Sequence, residues 1–216
     1  RNILVRNCRL RRGHGAVVIG SEIGGGVYGL KVQQCLMQDT ERGLRIKTRR
    51  GRGRDSIVAD VELSDIIMDN VQTQIVVNMF YACDPDGHTP CVSSKTALPV
   101  DELTPCVRNI YCHDFSCTNC HVAGIFLYGL PEQPIESLIV ENARICFAAN
   151  AQSGQAAMMD GLEAMKKVAL LARNVKLLRL RNLRAEGYEG DPFRLDQVIC
   201  FDHQSDPAAA SETGQS

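Results

Sequence analysis

A recurring pattern of apolar and polar positions along the chain predicts short β-strands. In each copy, a small polar residue or a glycine precedes apolar residues at relative offsets 0, 2, 5 and 7. Offsets 0 and 2 have the two-residue period of a strand, and the step to 5 and 7 is a one-residue change of phase. The pattern therefore predicts two short strands that meet at a corner. The copies start at Ile3, Leu30, Val61, Ile110, Leu138 and Val175.

Units of this size predict a solenoid. A unit of about 30 residues with two short strands cannot bury its own apolar face, so copies are expected to stack and cover one another. β-Strand units of this length predict an all-β protein, a right-handed parallel β-helix. A leucine-rich repeat would need a Leu-x-x-Leu-x-Leu frame with recurrent Asn, and a β-sandwich would need frequent hairpin turns such as Asn-Gly. The sequence contains neither.

Two insertions and a tail depart from the repeat. Residues 84–104 are rich in Pro, Asp and Gly, and predict a turn-rich loop. Residues 156–172 predict a short helix or an irregular cap against the stack, because apolar residues recur at helical spacing. These residues are Met158, Met159, Leu162, Met165 and Ala169. We expect one domain over residues 1–203 and a disordered tail over residues 204–216.

Composition and charge narrow the classes of partner. The 216 residues carry 24 Lys and Arg against 25 Asp and Glu, and the net charge of −1 gives no overall field for nucleic acid or a membrane surface. No apolar run is long enough to span a bilayer. The chain opens at Arg1 and enters the apolar run Ile3-Leu4-Val5 directly, so we expect a C-terminal fragment of a longer β-helix whose N-terminal coils are missing.

The ten cysteines bear on the compartment. Their density is below that of small disulfide scaffolds, and several occupy positions where a core residue is expected, so free buried thiols are predicted. Free thiols favour a reducing compartment, and hence a cytoplasmic location. Secretion is the alternative, because a signal peptide would precede Arg1.

Three motifs carry candidate chemistry. In Gly13-His14-Gly15, the glycines allow a sharp turn that presents the imidazole. In Arg45-Ile46-Lys47, the two cations share one face of a strand, so both are expected to point outward and converge on one anion while Ile46 points inward. Tyr81 follows one coil later. Because turns of successive coils stack, we expect His14, Arg45 and Lys47 to share one groove.

The order and separation of these motifs resemble family 28 of the glycoside hydrolases, the polygalacturonases. The resemblance rests on the segments 8–15, 20–22 (Gly20-Ser21-Glu22), 42–48 and Tyr81, and on the later Gly129-Leu130-Pro131-Glu132-Gln133-Pro134. It implies a pectin-lyase-like β-helix that hydrolyses α-1,4-galacturonosyl linkages in pectin, polygalacturonate or oligogalacturonides with inversion. By the same resemblance, His14 matches a catalytic-centre histidine, Arg45 and Lys47 match a clamp for the galacturonate carboxylate, and Tyr81 and Glu22 match substrate contacts.

The chain departs from the family pattern in one respect. The family's acidic motifs precede the Gly-His-Gly turn, whereas residues 1–13 contain no Asp or Glu. Inverting hydrolysis requires one carboxyl group as acid and another as base. We therefore expect the catalytic aspartates upstream of Arg1, an inactive fragment, and a role for His14 in tuning one of those aspartates.

Other functions remain open from the sequence. A non-catalytic carbohydrate-binding β-helix is the alternative function, and a pectate lyase would need a Ca²⁺-binding carboxylate cluster. The arginine-rich segment 42–54 suggests a phosphate patch, but no aromatic residues interleave with it, so no nucleic acid partner is expected. Cys117 and Cys120 have the spacing of half a zinc site, but a packed thiol stack is favoured and no metal or cofactor is expected. The expected partner is a polysaccharide or oligosaccharide that contains galacturonic acid, with no membrane.

Overall fold

The predicted solenoid is confirmed by a computed structural model that describes residues 1–205. Within this range, every pairing between the named strands is parallel. The first ladder of strands consists of β1 (Ile3–Arg6), β2 (Arg9–Arg11), β4 (Val27–Gln38), β6 (Ile57–Asp69), β8 (Cys106–Cys120), β10 (Ile135–Phe147), β11 (Val168–Glu186) and β12 (Phe193–Gln204). The second consists of β3 (Val17–Ile19), β5 (Arg42–Lys47), β7 (Thr73–Asn78), β9 (Ala123–Tyr128) and the first part of β11.

The apolar positions of the repeat form the core. In the copy that starts at Val61, Leu63, Ile66 and Met68 lie at offsets 2, 5 and 7, and all four side chains are buried. The equivalent positions of neighbouring coils are directly paired, as in Leu30 with Val61 and Val61 with Ile110. Each coil therefore covers the apolar face of the next, which is how a unit too small to have its own core becomes stable.

The change of phase inside each copy occurs at one residue in the left-handed conformation. These residues have φ angles between 49° and 55°, and each comes directly after a residue that pairs with its equivalent in the neighbouring coil, so they form a row along the stack. They are Asn7, Gln34, Asp65, Asp114, Asn142 and Asn182. A left-handed residue turns the strand, so that side chains on both sides of the corner can face the core. Asn and Asp tolerate this conformation better than most residues with a Cβ.

Side-chain amides link the corners of adjacent coils. Asn142 Nδ2 donates to Asp114 Oδ1 at 3.0 Å, and Asn182 Nδ2 donates to Asn142 Oδ1 at 3.2 Å. A second row repeats this arrangement, since Asn70 Nδ2 donates to Asp39 Oδ1 at 2.8 Å. The corner residues therefore both turn the chain and connect one coil to the next.

The last predicted copy has a different start. Leu138, the start of the preceding copy, pairs with Leu178, whereas Val175 pairs with Ile135. The last copy therefore starts at Leu178 and continues through Leu180, Leu183 and Ala185. The prediction of Val175 was wrong because Asn174 is also left-handed and precedes an apolar run, which imitates the start of a copy. The corner at Asn182, paired with Asn142, sets the actual phase.

The two insertions form short irregular walls beside the second ladder. Residues 84–104 contain a 3-10 turn, Pro85–His88, and a single-turn helix, α1 (Pro90–Ser93). The helix considered for residues 156–172 does not form, and the segment is an irregular cap that leads into β11. The backbone of this cap is held by side chains of the second ladder. The carbonyl oxygen of Ala156 accepts a hydrogen bond from Arg42 Nε at 3.1 Å, and that of Met158 accepts one from Asn78 Nδ2 at 3.0 Å.

The remaining predictions concern the thiols and the tail. All ten cysteines are free, and Cys35, Cys112, Cys117 and Cys120 are buried. Gln204, where the predicted tail begins, still pairs with Arg181 at the end of β12. Residues 206–216 lie outside the described range, so the prediction of disorder there stays a prediction. No helix among residues 1–205 has the length and apolar character to cross a membrane.

We predict that Asn142→Ala lowers the free energy of unfolding by about 1–2 kcal/mol, because alanine both disfavours a positive φ and lacks the amide of the ladder. Asn142→Gly is the matched control, since glycine accepts the left-handed conformation and loses only the ladder hydrogen bonds. Urea unfolding followed by circular dichroism measures both. If glycine were as destabilising as alanine, the backbone conformation of the corner would not be the limiting constraint.

Candidate functional site

Strand β5 positions the predicted Arg-Ile-Lys motif. Ile46 is fully buried in the core, whereas Arg45 and Lys47 share the opposite face, as the strand period requires. The predicted exposure of Arg45 differs from the structure, where only 4% of the residue is accessible to solvent. Arg45 lies next to the turn at Gly15, and its Cζ is 5.8 Å from the centroid of the Tyr81 ring. Lys47 is therefore the more accessible cation of the pair.

Lys47 lies in an open groove of about 390 Å³ at the end of β5. The groove is formed by the turn after β3, the end of β5 and the start of the insertion after β7. Its lining residues are Gly20, Ser21, Glu22, Lys47, Tyr81, Cys83 and Asp84. The structure thus brings together three residues predicted from the sequence, namely Glu22, Lys47 and Tyr81.

Tyr81 and Lys47 are in direct contact. Lys47 Nζ donates to the Tyr81 hydroxyl at 3.3 Å and lies 4.4 Å from the centroid of the ring. Burial, together with the hydrogen bond to Cys83, raises the pKa of Tyr81 to about 12, so the phenol is protonated at neutral pH. Burial and the charge of Arg45 lower the pKa of Lys47, while the nearby Cys83, Glu22 and Asp84 act in the opposite direction.

A glycine allows the turn after β3 to approach Lys47. Gly20 has a φ of +92°, and a Cβ added there would lie 2.0 Å from the carbonyl oxygen of Lys47. No other residue type fits this approach, because the conformation is left-handed and the space is already occupied. Gly20 therefore brings Ser21 and Glu22 against the end of β5.

His14 lies near the other end of β5. Its Nδ1 is 2.7 Å from Glu41 Oε2, and Glu41 also forms a close ion pair with Arg42. About 20 Å of extended chain separates residue 41 from residue 47, and His14 is not among the described residues that line the Lys47 groove. The shared groove for His14, Arg45 and Lys47 stays a prediction.

Sequence reasoning missed Asp84, which lines the groove, and the two arginines beside it. Arg49 Nη2 is 3.5 Å from Asp84 Oδ2, and Arg52 Nη2 is 3.6 Å from the same oxygen. The Pro- and Gly-rich pattern of residues 84–104 predicts only a turn for Asp84, although its position three residues after Tyr81 is a signal that it lies in the groove. The arginines form one basic run in the sequence, but the structure divides them: Arg42, Arg49 and Arg50 are buried, while Arg54 is exposed.

Arg50 anchors the insertion that forms one wall of the groove. Its guanidinium pairs with Glu132 through two hydrogen bonds, Nε to Oε1 at 2.5 Å and Nη2 to Oε2 at 2.8 Å. It also donates to three carbonyl oxygens of the insertion, those of Cys91, Ser94 and Thr96. Burial alone would raise the pKa of Glu132, but the hydrogen bonds and the charge of Arg50, together with backbone N–H groups, lower it.

Cys117 and Cys120, which have the spacing of half a zinc site, lie on a different face of the coil from the neighbouring histidines. Cys112, Cys117 and Cys120 point into the core, where burial raises the pKa of each thiol. His113 lies outside, with Nδ1 at 2.6 Å from Asp114 Oδ2, and His121 bonds to Asn70 Oδ1 at 2.8 Å. The buried thiols therefore pack as apolar side chains and do not share a centre with these histidines.

Comparison with known proteins identifies a family model. The model of Glycosyl hydrolases family 28 matches residues 1–136. A probable polygalacturonase of Vitis vinifera is 26% identical over 63% of this chain and 25% of its own length. An endo-polygalacturonase of Pectobacterium carotovorum subsp. carotovorum is 34% identical over 48% of this chain and 25% of its own length. The chain thus spans about a quarter of these relatives.

A solved structure supports the fold. The family 28 exopolygalacturonase of Yersinia enterocolitica superposes on 94% of this chain with a TM-score of 0.66, at 15% sequence identity. The match covers 31% of that protein. At this level of identity, the likeness concerns the fold, and it confirms the parallel β-helix that the repeat predicted.

We predict that Glu132→Gln lowers the free energy of unfolding by about 3 kcal/mol or more, because it leaves the buried Arg50 without its counter-charge. The folded pKa of Glu132 is lowered, so its contribution is present above its unfolded pKa and is lost as pH falls through the folded pKa. Denaturant unfolding at several pH values should show the two proteins converging in stability at acid pH. A constant difference down to that range would contradict the charge-based explanation.

Proposed function

Because the chain belongs to Glycosyl hydrolases family 28, we propose that it serves the hydrolysis of α-1,4-galacturonosyl linkages in pectin, polygalacturonate or oligogalacturonides. The observation that carries this proposal is the groove where Lys47 and Tyr81 meet at the end of β5. It offers an ammonium group to a carboxylate, and hydroxyl and carboxylate groups to the sugar hydroxyls. The partner is therefore a saccharide with galacturonic acid units.

The clamp in this proposal has unequal members. Lys47 is accessible and donates a charge-assisted hydrogen bond directly to the galacturonate carboxylate. Arg45 lies beneath, and its buried charge makes the potential at the groove more positive. Tyr81 holds Lys47 Nζ in place and offers its hydroxyl to the substrate. Glu22, at the rim of the groove, accepts a hydrogen bond from a sugar hydroxyl.

The catalytic acid and base belong to the same proposal. Hydrolysis with inversion needs two carboxyl groups on opposite faces of the sugar, one as general acid and one as base for the attacking water. In the family pattern described above, the acidic motifs precede the Gly-His-Gly turn, and residues 1–13 contain no Asp or Glu. We propose that they lie outside this chain. The bond from Nδ1 to Glu41 would orient the His14 imidazole, leaving Nε2 to hydrogen-bond a catalytic carboxylate.

A non-catalytic carbohydrate-binding role is the second candidate. The residues proposed for the carboxylate clamp are present in the chain, while the family's acidic motifs are not found in its sequence. Under this alternative, the groove would bind oligogalacturonides without cleavage even when the β-helix is complete. Binding without hydrolysis is therefore the observation that separates the two candidates.

We predict that Lys47→Met weakens the binding of trigalacturonate by this chain at least tenfold, because a charge-assisted hydrogen bond to a carboxylate contributes about 1.5–3 kcal/mol. Isothermal titration calorimetry measures the affinity. Lys31→Met is the matched control, since Lys31 lies on the first ladder, where its Nζ pairs with Glu62 at 2.8 Å. Equal affinities of parent and Lys47→Met would reject the clamp.

We also predict that this chain releases no reducing ends from polygalacturonate, whereas the chain extended by its natural N-terminal sequence does. The physical reason is the missing pair of carboxylates. A reducing-sugar assay compares the two, with the Pectobacterium endo-polygalacturonase as positive control. Activity of the chain alone that disappears in Glu22→Gln or Asp84→Asn would place the acid and base in this groove instead. An extended chain that binds without cleaving would favour the second candidate.

A further inference from the structure

The groove contains two carboxylates, and neither forms an ion pair with Lys47. Glu22 and Asp84 line the same groove as Lys47. Among residues 1–205, however, no carboxylate oxygen lies within ion-pair distance (4.0 Å) of Lys47 Nζ. The ammonium group donates its hydrogen bond to the Tyr81 hydroxyl. An ammonium group and carboxylates in one small groove attract each other, so something must hold them apart.

Both carboxylates are directed to Arg52 instead. Arg52 Nη2 lies 3.7 Å from Glu22 Oε1 and 3.6 Å from Asp84 Oδ2, and it donates to Ser21 Oγ at 3.0 Å. One nitrogen thus connects the turn after β3 with the insertion after β7. Arg49 supports Asp84 from behind, at 3.5 Å, with only 3% of its side chain exposed.

The backbone around Arg52 is held in place. Gly51 N and Gly53 N both donate to the carbonyl oxygen of Leu103, at 2.9 Å and 3.3 Å, and Arg54 N donates to that of Glu102 at 2.7 Å. The side chain of Arg52 is 18% exposed. The guanidinium therefore extends from a fixed turn, and its position beside the groove is defined by the fold.

We propose that Arg52 is a positioning residue that holds Asp84, and with it Glu22, away from Lys47, so that the ammonium stays available to a uronate carboxylate. The inference deepens the proposed function and rests on it for the identity of the ligand. Without Arg52, the Asp84 carboxylate pairs with Lys47 Nζ, and the substrate must displace it before it binds. With Arg52, that competing ion pair is absent before the substrate arrives.

The first experiment needs no ligand. NMR titration of ¹³C-labelled lysine measures the pKa of Lys47 in the parent, Asp84→Asn, Arg52→Met and the double variant. A carboxylate within ion-pair distance raises the pKa of an amine by about one unit or more. We therefore expect Asp84→Asn to lower the pKa of Lys47 by about one unit more in the Arg52→Met background than in the parent. Equal effects in both backgrounds would overturn the inference, because a change in net charge alone is additive.

The second experiment measures the affinity for trigalacturonate by calorimetry. Arg52→Met should weaken binding about tenfold, and adding Asp84→Asn should restore most of that loss, because the competitor is removed. Arg54→Met is the matched control: it removes the same charge two residues away, at an exposed ion pair with Glu102, and should change affinity less than about twofold. A double variant as weak as Arg52→Met would overturn the inference.

Folding and ligand identity are controlled separately. Circular dichroism melting shows whether Arg52→Met is folded, and Arg52→Gln, whose side chain is polar but uncharged and too short to reach Asp84, replaces it in both experiments if it is not. If the parent chain binds no trigalacturonate, the proposed function fails, while the coupling between Arg52 and Asp84 in the pKa of Lys47 still decides whether Arg52 holds the carboxylate away. The two failures are therefore distinguishable.

Discussion

Every coil of this β-helix must turn at the same place, and the left-handed corner residues impose that requirement. A coil that turned one residue early would point its apolar side chains at solvent and its polar ones at the core, because strand side chains alternate. The row from Asn7 to Asn182 prevents this, and the amide hydrogen bonds between Asp114, Asn142 and Asn182 connect the turning points of successive coils. The buried rows of the core, the position of β5 and the outward face of Lys47 all follow from this register.

Arginines connect the regular ladder to its irregular walls. Arg50 binds Glu132 and three carbonyl oxygens of the insertion, and Arg42 binds the carbonyl oxygens of Gln155 and Ala156, where the cap begins. A guanidinium suits this task, because its five N–H groups can satisfy several carbonyl oxygens at once in segments that lack regular backbone pairing. The walls stand in fixed positions beside the second ladder for this reason, although neither contains a helix of more than a single turn.

The fold could be predicted from the sequence because the repeat depends on local rules: strand alternation, a corner residue and stacking. The phase of the last copy could not, since Asn174 and Asn182 satisfy the same local rule, and only the pairing between coils separates them. For the site, Lys47, Tyr81 and Glu22 were named from their motifs and line one groove, while the groove predicted for His14, Arg45 and Lys47 stays a prediction. The burial of Arg45 and the contacts of Arg52 with Asp84 depend on how two distant turns pack, and no spacing within either turn carries that information.

The contacts between the insertions and the ladder also bear on how such a protein can change over evolutionary time. Because each coil is stabilised by its immediate neighbours, a loop between two strands can lengthen or be exchanged while the ladder keeps its register. The insertion after β7 and the cap before β11 touch each other, for example where His88 Nδ1 meets Asp160 at 2.9 Å. Descendants of one ancestral ladder could thus acquire different ligand preferences through loop replacement, and covariation between the two loops and their arginine anchors would record that history.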